Sequence, residues 1–197
     1  MKQGLTPYLL TLAPIVMFIA FMTGPDEVRD QDYLNWLKDQ SLTMMAGGTI
    51  VVTIGAVMMF GGWFVLTQDM MAKSNKTQQD LLMLSRVALI FPMVLLLLAT
   101  GIDMENWWVI DEGVDDYYTV EEEEAIVLNN HNVSSYIWGT MPITWAIGLI
   151  LIGVVALMDN KKDNHSAQWV FAGPVVTGLG LIGAYWFEPL WLFFMVA

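Results

Sequence analysis

The chain runs to 197 residues without a cysteine; 56% of it is hydrophobic, 14% is charged, and the formal net charge is -12. Runs of about 20 apolar residues recur along it, which suits a bilayer and excludes a soluble enzyme. The same arithmetic excludes disulfides, thiolate metal sites and cysteine nucleophiles, and an acidic chain with eight basic residues is no partner for nucleic acid.

Five membrane helices are predicted, at 5–22, 43–66, 81–101, 135–158 and 168–187. They are helices and not barrel strands, because segments such as Val94-Leu-Leu-Leu-Leu-Ala99 are apolar on every face instead of alternating. The fold class is therefore an all-α integral membrane protein, a five-helix transmembrane bundle forming one domain over 1–197. The first span follows Lys2 and reads as an uncleaved anchor, since Met22-Thr-Gly-Pro25 is a poor cleavage site; Pro14 inside it predicts a kink.

After it, Gly24-Pro25-Asp26-Glu27 has the form of a helix start, and Tyr33, Trp36 and Leu37 then share one face. A short amphipathic helix at headgroup level is expected there, with a lid or docking surface as its functional alternative. In the second span Gly48, Gly55 and Gly62 recur every seven residues, a glycine groove on one face. The third span carries Arg86, placed to snorkel toward the surface.

Residues 102–133 form an expected external acidic loop with ten carboxylates and no lysine or arginine. Its Trp107-Trp108 pair reads as an interfacial anchor, and Thr119-x-x-Glu122 as a capping box. No Asp-x-Asp-x-Asp-Gly calcium loop occurs, so a solvated face or a dock for a basic partner is favoured over a metal site. Asn132-Val-Ser134 is the one glycosylation-type triplet on this side.

The fourth span repeats Thr140, Thr144 and Gly148, and the fifth repeats Gly173, Thr177, Gly180 and Ala184, each on one helical face. Three small-residue stripes favour a tight bundle or an oligomer. Gly178-Leu-Gly-Leu-Ile-Gly183 matches the dinucleotide fingerprint by letter, but no strand precedes it. Glu188 interrupts the apolar C-terminal stretch. At membrane depth it would serve a proton or cation pathway or pair with Arg86; at the boundary it would be a turn flanked by Trp186 and Trp191.

Lysine and arginine set the direction. Lys2, Lys73, Lys76, Arg86, Lys161 and Lys162 fall on one side and Arg29 and Lys38 on the other, which places the N-terminus in the cytoplasm and the C-terminus outside. Nearly all the negative charge then faces outward.

Chemistry is sparse. His131 and His165 fall in predicted loops on opposite sides, excluding a bis-histidine haem, and no zinc motif or nucleophile elbow occurs. The adjacent methionine pairs point to different helix faces and read as core filler rather than soft-metal ligands. No catalytic residue, metal or cofactor is expected. The expectation is a non-catalytic, multi-pass protein of the cell membrane, an accessory or assembly subunit with the lipid bilayer and a protein partner, or its own copies, around it. The alternative is a small proton or cation transporter or channel using Glu188 and Arg86.

Overall fold

The computed structural model describes residues 4–21, 30–112, 118–159 and 168–183, and these are helical apart from short connections. The helices are α1 (Thr6–Phe21), α2 (Asp30–Asp39), α3 (Leu42–Met71), α4 (Lys76–Glu112), α5 (Val120–Asp159) and α6 (Gln168–Gly183). Three of them, α3, α4 and α5, are long and apolar enough to cross a membrane; α1 and α6 are apolar but shorter. Pro14 lies inside α1 without ending it.

The long helices start on side-chain caps. Ser41 Oγ accepts from the Met44 amide at the head of α3. At α4, Asn75 and Gln78 exchange backbone and side-chain hydrogen bonds, a capping box in Asn-x-x-Gln form. At α5 the expected Thr119–Glu122 box is present: the Thr119 amide donates to Glu122 Oε2 at 2.8 Å, and the Glu122 amide to Thr119 Oγ1 at 3.3 Å.

The apolar helices pack in chain order, α1 on α3, α3 on α4, α4 on α5 and α5 on α6. The glycine stripes explain several of these contacts. A Cβ on Gly62 would meet Leu10 at 2.7 Å and one on Gly55 would meet Met17 at 2.5 Å, so α1 lies antiparallel in the α3 groove. Gly148 receives Leu89 of α4, and Gly153 and Gly178 let α5 and α6 approach to backbone contact. The stripe residues Thr177 and Gly180 are buried, and the match of Gly178 to the dinucleotide fingerprint lies inside this helix contact. Four stripe positions do other things: Thr140 and Thr144 donate to the Ile137 and Met141 carbonyls of their own helix, and Gly48 and Gly173 face open space. Ala184 lies outside the described residues. Between α3 and α5 the core closes on Phe60 and Trp145, ring centroids 5.4 Å apart.

The main departure from expectation is in 102–133. Of this supposed loop, 102–112 continues α4 and 120–133 begins α5, so the two helices have 37 and 40 residues. At ~1.5 Å per residue they reach about 55 and 60 Å. The hydrocarbon of a bilayer takes up about 30 Å of such a length. Beyond the apolar stretches, residues 102–112 of α4 and 120–134 of α5 form a two-helix extension at one end of the bundle, and α2 packs on it.

Candidate functional site

The extension is built by helical spacing. Asp103, Asn106, Trp107 and Ile110 fall at i, i+3, i+4 and i+7 on α4; Val127, His131 and Ser134 follow the same rule on α5. These stripes meet a third from α2, where Tyr33, Leu34 and Leu37 are at most 1% exposed. The result is a second core, separate from the membrane-type core, in which Tyr33, Leu34, Leu37, Trp107 and Val127 are buried together.

Its centre is polar. The Tyr33 hydroxyl donates to Asp103 Oδ1 at 2.9 Å and accepts from Asn106 Nδ2 at 2.9 Å. Burial first, and then the negative charge of Asp103, push the phenol above its ordinary range, so it stays protonated and remains the donor. The Tyr33 ring stacks on His131 with centroids 3.8 Å apart and planes 20° from parallel. Asn106 is fully buried and its Oδ1 has no hydrogen-bond partner. Around the rim, Trp107 Nε1 donates to the Gln40 carbonyl at 3.1 Å, and Lys38 pairs with Glu124 at 2.6 Å. α2 and the adjoining Gln40 are thus fixed by four hydrogen bonds and an apolar face; Tyr33 and Leu37 of the face expected at headgroup level are buried against protein, while Trp36 is half-buried.

Beside this cap lies a cleft of about 340 Å³. Trp36 of α2, Gln40 just after it, and Asp103 and Thr100 of α4 line its polar side; Gly47, Gly48, Val51 and Val52 of α3 line its apolar side. A Cβ on Gly47 or Gly48 would meet nothing within 4 Å. Gly48 therefore differs from its repeat partners Gly55 and Gly62: they hold α1, and it opens on the cleft.

Other expected site residues fall as follows. Arg86 is half-buried at the opposite end of the bundle. Its Nε donates to Thr67 Oγ1 at 3.0 Å and Nη2 to the Phe64 carbonyl at 3.1 Å, with the guanidinium 5.6 Å from the Phe64 ring centroid. It is therefore held by α3 instead of extending freely to the surface. Glu188 lies outside the described residues, as do His165 and the Gly24-Pro25 helix start. His131, expected in a loop, is 6% exposed within α5. Trp107 is buried and only Trp108 is available as an anchor. Ser134 of the Asn132-Val-Ser134 triplet is 2% exposed inside a helix, unlike a loop acceptor for glycosylation. Among the described residues no three histidine, aspartate or glutamate side chains gather as a metal site.

The chain matches no protein-family model, no curated protein and no solved structure.

Proposed function

We propose that this is a five-span, non-catalytic subunit of the cell membrane, with its N-terminus in the cytoplasm, presenting the acidic helical cap outside as a docking platform for a basic partner. The observation that carries this reading is how the cap uses its polar groups. Tyr33, Asn106, Trp107 and Gln40 are engaged in holding α2, while Asp32, Asp39, Glu105, Asp111, Glu121 and Glu122 are exposed. Lys38 is the sole cation at this end among the described residues, and it is paired with Glu124. A rigid surface of one sign attracts a partner of the other sign and fixes its register.

The span count extends the three long helices by α1 and α6, which lie antiparallel on α3 and α5. The orientation rests on the lysine and arginine bias. The test is the mass and composition of the complex extracted from its native membrane in mild detergent. The expected result is a stoichiometric partner that a high-salt wash releases, because exposed charge pairs are screened. A bare monomer or homo-oligomer overturns the reading.

A further inference from the structure

The cleft beside the cap combines three features that belong to one kind of ligand. Its floor is apolar and lacks side chains at Gly47 and Gly48, continuing the groove that α1 fills farther along α3. Its polar wall carries Asp103, a carboxylate that accepts from Tyr33 and has no cationic partner among the described residues. Its rim is the first turn of α3. There the Met44 amide is taken by Ser41 Oγ and the Met45 amide by the Ser41 carbonyl. The amides of Leu42 and Thr43 are ones an α-helix cannot satisfy internally, and they sit at the positive end of its dipole.

Helix-start amides, a carboxylate across the cleft and an apolar trough between them complement a zwitterion on a hydrocarbon chain. We infer that the cleft holds one membrane phospholipid whose headgroup bears an ammonium group. Its phosphate sits at the first turn of α3, its ammonium at Asp103 beside the Trp36 indole, and an acyl chain runs along Gly48, Val51 and Val52. The two faces of the cleft come from α2 and α4 on one side and α3 on the other, so the lipid joins the cap to the bundle. The inference rests on the long helices crossing a bilayer.

The full chain is reconstituted in unlabelled phosphatidylglycerol vesicles doped with brominated phosphatidylethanolamine or with brominated phosphatidylglycerol, and quenching of tryptophan emission is followed. Subtracting the Trp36→Phe signal isolates the cleft. The expected result is that the ethanolamine lipid quenches Trp36 at about a threefold lower mole fraction than the glycerol lipid, roughly half a decade in affinity. Asp103→Asn removes that preference, and Gly48→Leu, which places a side chain in open space within the cleft, removes quenching by either lipid beyond that of bulk contact. Gly61→Leu, also in open space but farther along α3, leaves quenching unchanged. Equal quenching by the two lipids in the native chain, or quenching unaffected by Gly48→Leu, overturns the assignment. Flotation with the vesicles is read separately: a chain that does not float overturns the membrane reading as well, whereas one that floats without headgroup preference overturns the lipid site alone.

Discussion

Replacing Tyr33 by phenylalanine keeps the ring that stacks on His131 and removes only the hydroxyl that joins α2 to α4. Two terms follow. The hydrogen bond to the Asp103 carboxylate is charge-assisted and contributes about 1.5–3 kcal/mol. The Asn106 amide loses the acceptor at 2.9 Å and, with its Oδ1 already without a partner, is left wholly unsatisfied in the cap, at a cost of about 1 kcal/mol or more. The docked state of α2 should therefore weaken by about 3 kcal/mol, roughly a hundredfold in its opening equilibrium. Native-state hydrogen exchange reads this locally: amides of α2 should exchange about 100 times faster in the variant, while those at the centres of α3 and α5 keep their protection. Acceleration of less than about threefold would show that the apolar face of Leu34 and Leu37 holds α2 alone, and would refute the polar clasp.

Four further outcomes are expected. Gly178→Ala sets a Cβ 2.8 Å from the Ala146 carbonyl oxygen, so it should lower the thermal midpoint in detergent, whereas Gly47→Ala, with nothing within 4 Å, should not. Lys38→Ala removes a pair whose side chains are 43% and 29% exposed, so its effect on α2 exchange should stay below about 1 kcal/mol and vanish in high salt. Arg86→Lys cannot reproduce two donors in a fixed fork; a double-mutant cycle with Thr67→Val should give a coupling near 1 kcal/mol, and zero coupling would deny the contact. With no native cysteine, single cysteines at Ser74 and Glu121 should differ toward an impermeant reagent in intact cells: only position 121 reacts, and labelling at 74 reverses the proposed orientation.

The apolar elements were legible because hydropathy and glycine spacing act locally. The seven-residue repeat of Gly48, Gly55 and Gly62 announced a groove, and Thr119-x-x-Glu122 announced a cap. The cap region reads as a solvated loop when counted by composition, because its charge density is that of one. Its helical stripe was nevertheless present in Val127, His131 and Ser134, and in Asp103, Asn106 and Trp107, at spacings of three and four. Such spacing shows which residues share a face. It does not show that α2, some 70 residues away from Asp103 in sequence, supplies the third face. The same gap hid the cleft: the repeat treats Gly48 and Gly55 alike, and only the end of α1 makes one a contact and the other an opening.

Helix length explains why the polar cluster is tolerated. A buried asparagine, a buried histidine and a carboxylate within the hydrocarbon would each be costly. Beyond the apolar stretches of α4 and α5, residues 102–112 and 120–134 extend at this end, roughly 16 to 22 Å of helix at ~1.5 Å per residue. Asp103, Asn106 and His131 all fall in that extension, where Tyr33 of α2 can pair with Asp103 and with the Asn106 amide nitrogen and exclude water from all three. α2 is thereby a structural requirement of the overlong helices and not an accessory to them. Without it, the two helix ends would expose Trp107 and Val127, which α2 helps to bury. The carboxylates that remain exposed then stand on a fixed frame, so the partner proposed above would meet a surface already ordered, without the entropic cost of ordering a loop.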